Sequence, residues 1–173
     1  DSTVSLERVT VEHGSILSQG GHIEIRSSLV AQTYGGLGAV MAVGGSLEII
    51  YSSVLDGSSN YGVACVDCVG SVRNSVIMSG DTQQSVFMPE EGLDVRNNLL
   101  DEELEGNRVG TWKPDLHYVN PDAFNYRLRS YDNYWFQQFR DLAQREIGDP
   151  GADIDGDPVW ADSHVGYDQA PVG

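Results

Sequence analysis

The chain is poor in positive charge: 10 Lys and Arg residues face 26 Asp and Glu in 173 residues, a net charge of −16. A surface of that sign repels nucleic acid and anionic lipid, so neither is an expected partner. No run approaches the roughly 18 consecutive apolar residues of a membrane-spanning helix, and no span is expected. Cysteine is scarce too, with only Cys65 and Cys68, spaced C-x-x-C. A structural zinc site needs four ligands, and no second pair exists to complete one. A thioredoxin-like redox pair needs a helix start in a βαβ setting. Here the pair follows the strand-like run Tyr61-Gly-Val-Ala-Cys65 and precedes a glycine turn, which predicts a strand end with buried thiols or a local disulfide. His13, His22, His117 and His164 are scattered and form none of the paired-histidine metal motifs. No nucleophile elbow or phosphate loop is present.

What the chain does have is repetition. Five segments share one pattern, an aliphatic residue followed five positions later by another: Leu6-Glu-Arg-Val-Thr-Val11, Ile25-Arg-Ser-Ser-Leu-Val30, Ile50-Tyr-Ser-Ser-Val-Leu55, Val72-Arg-Asn-Ser-Val-Ile77 and Val95-Arg-Asn-Asn-Leu-Leu100. They recur with a period of roughly 22 residues, the length of one solenoid coil. Each coil divides into three short strands, expected at 22–25, 29–31 and 37–43, at 47–50, 53–55 and 62–66, and at 72–73, 76–78 and 85–88. The expected fold is all-β, a single-stranded right-handed parallel β-helix over residues 1–110. Leu47 and Ile49 alternate out of step with Ile50, which predicts a bulge near Glu48.

Stacking gives each repeat position a neighbour about 4.8 Å away in the next coil. The polar pairs Ser27-Ser28, Ser52-Ser53, Asn74-Ser75 and Asn97-Asn98 should pile up at one corner, with Ser28, Ser53, Ser75 and Asn98 bonding from coil to coil. The residues after the first aliphatic anchor are Glu7, Arg26, Tyr51, Arg73 and Arg96. They predict an outer column in which Arg26 and Arg73 flank Tyr51. Arg73 and Arg96 would then lie side by side, suited to a carboxylate or sulfate ligand. The competing reading is a solvated charge ladder with no ligand.

Beyond residue 101 the repeat stops. Residues 111–173 are expected to form a C-terminal cap with one amphipathic helix near 132–147. Trp135, Phe136, Phe139, Leu142 and Ala143 share one helical face there, which suits it to cover the last coil. In the same region Asp153, Asp155, Asp157 and Asp162 offer hard oxygen ligands around a glycine, the raw material of a Ca²⁺ loop. The alternative is that they cap turns. Trp112, Tyr131, Tyr134, Trp135 and Trp160 are expected in the core of the cap, with a sugar-stacking platform as the alternative. At the other end the coils begin within a few residues of Asp1 with no visible lid. This reads as the C-terminal part of a longer protein.

Tyr118 and the following Val119-Asn-Pro-Asp-Ala-Phe-Asn-Tyr-Arg-Leu-Arg129 resemble a signature of bacterial pectate-lyase-like β-helix proteins. Asp153-Ile-Asp-Gly-Asp-Pro158 and Val165-Gly-Tyr-Asp168 are similar to segments that follow it in that group. The resemblance implies a bacterial, secreted or cell-surface protein with polysaccharide as the natural partner. It does not select an activity, because one fold hosts many. The expected role is a non-enzymatic structural or adhesive region, with two alternatives. One is the end of a polysaccharide lyase or glycoside hydrolase whose catalytic coils lie upstream. The other is an assembly element that docks through its first coil on an upstream region or a partner chain.

Overall fold

The computed structural model describes residues 2–31, 36–55, 60–79, 84–110, 118–120 and 125–128, with 142–144, 146–147 and 149–152 near the C-terminus. The described residues build a parallel β-solenoid. Its first coil holds β1 (Thr3–Glu7), β2 (Thr10–Glu12) and β3 (Ile16–Gln19), and the second holds β4 (His22–Arg26), β5 (Leu29–Ala31) and β6 (Gly38–Val43). The third consists of β7 (Ser46–Ile50), β8 (Ser53–Leu55) and β9 (Tyr61–Val66). The fourth has β10 (Val69–Arg73), β11 (Val76–Met78) and β12 (Val86–Phe87). A last, shorter set is β13 (Leu93–Arg96), β14 (Leu99–Leu100) and β15 (Arg108–Val109). Three sheets run along the solenoid, ordered β1-β4-β7-β10-β13, β2-β5-β8-β11-β14-β15 and β3-β6-β9-β12.

The core follows from strand alternation, which points every second side chain into the lumen. Ile25, Ile49, Val72 and Val95 stack on the first sheet, Val30, Val54, Ile77 and Leu100 on the second, and Val40, Val63 and Val86 on the third. All belong to one buried cluster. Cys65 and Cys68 join it as a disulfide. Gly70, two residues after Cys68, pairs with Leu47 on one side and Leu93 on the other. A Cβ at Gly70 would fall 1.8 Å from the Leu47 carbonyl oxygen, and its φ is +143°, so only glycine fits.

Register corrects two expectations. β4 pairs with β7 and β7 with β10 without interruption, so no bulge forms at Glu48. Arg26 therefore lies opposite Ile50, not Tyr51, and Ile50 opposite Arg73. The lumen anchor of the third coil is Ile49, and the true anchor spacings are 19, 24, 23 and 23. The apolar pair Ile49-Ile50 hides this in the sequence, because either residue satisfies the pattern.

The expected helix near 132–147 is not seen at its C-terminal end: Leu142, Ala143, Gln144 and Glu146 carry no helical structure. Residues 132–141 lie outside the described residues. Of the segment resembling the family signature, β16 (Tyr118–Asn120) and β17 (Asn125–Leu128) pair antiparallel.

Residues 101–107 lie across the last described coil. After β14 the chain touches all three sheets and returns to the second as β15. The Asp101 carboxylate accepts from the Ser79 N–H (2.7 Å) and Ser79 Oγ (2.8 Å), and Ser85 Oγ also donates to it. Glu102 Oε1 accepts from the Val86 N–H at 2.7 Å, standing in for the strand that β12 lacks. Leu104 packs against the lumen cluster, and Asn107 Nδ2 donates to the Val95 carbonyl at 2.8 Å. Burial holds the Glu102 carboxyl above the ordinary glutamate pKa; the Val86 N–H opposes that rise and the Asp101 charge adds to it.

Candidate functional site

Between the first and second sheets every coil turns through one residue with positive φ: Arg8, Ser27, Tyr51, Asn74 and Asn97, at 52°, 43°, 45°, 53° and 56°. This left-handed conformation costs most side chains about 1–2 kcal/mol and is most tolerated by Asn. The residue that follows repays it with hydrogen bonds. Ser28 Oγ accepts from the Val9 N–H (3.1 Å), Ser52 Oγ from Ser28 N–H (3.2 Å) and Ser75 Oγ from Ser52 N–H (3.1 Å). Asn98 Oδ1 accepts from Ser75 N–H (2.9 Å), and Asn107 Oδ1 from Asn98 N–H (3.0 Å). Each serine hydroxyl also donates to a carbonyl two residues back, at Arg26 (2.7 Å), Ile50 (2.9 Å) and Arg73 (2.8 Å).

Ser28, Ser75 and Asn98 thus hold the predicted coil-to-coil places. In the third coil Ser52 accepts the Ser28 N–H, and Ser53 begins β8 between Leu29 and Val76. Asn107 is the member that the sequence reading missed. It follows Asn98 by only nine residues instead of a full coil, and the signal was Gly106-Asn107 before the strand pair Arg108-Val109.

The outer column beside this ladder runs Glu7, Arg26, Ile50, Arg73, Arg96. Its arginines meet carboxylates of the chain itself. Arg26 pairs with Glu24 and, at 3.3 Å, with Glu48, which are themselves stacked on neighbouring strands. Partial burial works against ionisation of Glu24. The Ser5 hydroxyl and Arg26 outweigh it, with a smaller contribution from His22, so its pKa falls below the ordinary value. Arg73 pairs with Asp149, whose side chain is 0% exposed, and lies 3.9 Å from Glu146. Arg96 pairs with Asp94 (3.0 Å) and Glu146 (2.8 Å). The Glu146 carboxylate therefore sits between the two stacked arginines.

Glu146 and Asp149 belong to a strap laid across the coils. Asn74 grips it at two points, donating from Nδ2 to the Gln144 carbonyl and accepting at Oδ1 from the Gln144 N–H, both 2.9 Å. A turn follows in which Asp149 Oδ2 accepts from the Glu146 N–H (2.8 Å). Ser27 Oγ then donates to the Ala152 carbonyl at 2.9 Å. The strap is so bonded to the fourth coil at Asn74 and to the second at Ser27; on the third coil between them the outward-facing Ile50 is 0% exposed and Tyr51 is 1% exposed.

Asp153, Asp155, Asp157 and Asp162 and the aromatics Trp112, Tyr131, Tyr134, Trp135 and Trp160 lie outside the described residues. Among the described residues no group of three or more His, Cys, Asp or Glu side chains is arranged to hold a metal ion. Among them, too, no helix is long and apolar enough to cross a membrane. No protein-family model, no curated protein and no solved structure matches the chain.

Proposed function

We propose that this chain is a non-enzymatic structural or adhesive module of a secreted or cell-surface β-helix protein, in contact with carbohydrate. One observation carries the reading: the cations of the outer column are held by the chain's own carboxylates, with Asp149 buried against Arg73. An arginine committed to a buried carboxylate fastens the fold, and removing either partner would leave an uncompensated charge. Two further features support the setting. The Cys65–Cys68 disulfide suits an oxidising compartment, and the resemblance of residues 119–129 to pectate-lyase-like proteins suits a bacterial surface. A catalytic use of the column would require Arg73 to leave Asp149.

A glycan array and a cleavage assay on uronate polymers, both with the unmodified chain, test the proposal. The expected result is binding on the array with intact polymers in the assay. Intact polymers without glycan binding would reduce the role to structure, and polymer cleavage would overturn it.

A further inference from the structure

We propose that the outer face of the third sheet binds an uncharged polysaccharide, laid on Tyr61 and Phe87; this rests on the carbohydrate contact proposed above. Strand alternation sends Val40, Val63 and Val86 into the lumen cluster, so the residue after each faces outward. Register then stacks Leu17, Met41, Ala64 and Phe87 in one outward row. Val43 and Val66 stack in a second. Neither row contains a charge, and none of these side chains belongs to the lumen cluster. Leu17 is 57% exposed, and Met41, Val43, Val66 and Phe87 are half-buried. The outward positions of the first sheet instead carry Glu24, Arg26, Glu48, Arg73, Asp94 and Arg96. In a chain of net charge −16, a contiguous uncharged apolar face marks an interaction site.

The relief of the face suits a sugar ring. Phe87 lies beside Tyr61, with ring centroids 4.7 Å apart and planes at 30°. Between Met41 and Phe87 the row dips to Ala64, which is 0% exposed. Gly38 adds no side chain there, and a Cβ on it would fall 3.1 Å from that of Ala64. The result is a shallow floor of small residues with an aromatic pair at its β12 side. A pyranose ring has an apolar C–H face and a hydroxyl-bearing edge. The first matches aromatic and aliphatic surface, and Tyr61 offers a hydroxyl to the second.

Charge selects the class of polymer. Arg26, Arg73 and Arg96 are all engaged by carboxylates of the chain itself, and the net charge of −16 repels a uronate or sulfated chain. A neutral glycan meets no such penalty. A second copy of this chain fits the face less well, because it would bring two strongly negative molecules together. The area is also small for that purpose. Four strands at about 4.8 Å spacing, the longest holding 6 residues at about 3.3 Å each, span under about 400 Å². That is roughly half of what each partner contributes to a stable protein–protein interface.

Affinity electrophoresis of the full 173-residue chain tests the proposal, in gels holding a soluble neutral β-glucan, arabinoxylan or galactomannan and in a parallel gel holding polygalacturonate. The expected result is retardation by at least one neutral polymer and none by polygalacturonate. Met41→Asp, which puts a charge on the row, and Phe87→Ala, which removes one ring, should each weaken that binding about tenfold. Glu105→Gln, at an exposed position away from this sheet, should leave it unchanged. Circular dichroism confirms that each variant compared is folded, and two independent face variants guard against the loss of one. Retardation undiminished in both face variants would overturn this face and leave the carbohydrate reading standing. Retardation by polygalacturonate would overturn the neutral class. Retardation by none of the polymers would overturn the proposal, and an empty glycan array would remove the carbohydrate reading beneath it as well.

Discussion

The polar ladder and the arginine column run side by side along the same corner, and they are held by different means. In the ladder, each side chain is bonded by its own strand and by the coil next to it, about one repeat away in sequence. The residue types therefore recur with the coil: Ser28, Ser52, Ser75, Asn98. In the column, Arg73 and Arg96 are neutralised by Glu146 and Asp149, which lie 50 or more residues further along the chain. A periodic environment calls for a periodic sequence, whereas a strap asks only that its contacts match at one place. That is why the column tolerates Ile50 among arginines. The ladder spreads its contribution over equivalent bonds, while the strap concentrates its own at Arg73–Asp149.

The largest expected effect separates the two. Asp149→Ala leaves the buried Arg73 guanidinium without its partner and should cost about 3–5 kcal/mol in denaturant unfolding. Replacing the pair together, Arg73→Met with Asp149→Leu, should recover most of that loss. A double variant as unstable as the single one would show that the strap, not the charge pair, carries the effect.

On the ladder, Ser52→Ala strands the buried Ser28 N–H and should cost about 1–3 kcal/mol. Ser75→Ala should cost the same within error, because its surroundings repeat. Unequal losses would mean that the coils are not equivalent, and the contrast with the strap would weaken.

A smaller effect is expected at Glu146, which is 44% exposed. Glu146→Gln should lower stability by under about 1 kcal/mol, and added salt should erase the difference. A larger, salt-insensitive loss would make Glu146 part of the buried fastening rather than its exposed rim.

The smallest effects are in pH dependence, and the two glutamates have opposite signs. The folded pKa of Glu102 is raised, so the folded state holds that proton more tightly than the unfolded chain. Stability should fall as pH rises from the ordinary glutamate value through the raised one. Glu102→Gln, which keeps an oxygen for the Val86 N–H, should flatten that fall. The folded pKa of Glu24 is lowered. Its contribution is present above the ordinary value and is lost as pH falls through the lowered one, and Glu24→Gln should flatten the acid limb. Unfolding curves measured across this range for the parent and both variants check the two signs.

Much of the solenoid was legible in the sequence, since strands 29–31, 53–55 and 76–78 fall where the repeat places them. Alternation at period two and a fixed coil length are local properties, and local properties survive in the order of residues. The site was less legible. Ile49 and Ile50 both suit the anchor position, and only pairing with Arg26 and Arg73 shows that Ile50 faces outward. The carboxylates Glu146 and Asp149 have no periodic relation to the arginines they meet. Asn107 escaped because its coil is cut short, and with it went the place of the loop before it across the last described coil.

Sequence alone determined that this chain winds into parallel coils with a polar corner and an arginine-rich outer column, because stacking makes each coil's environment depend on residues one period away. Only the tertiary structure decided what the arginines touch and which residues lie across the last described coil. Those outcomes depend on where a distant segment comes to rest, and no spacing in the chain encodes that.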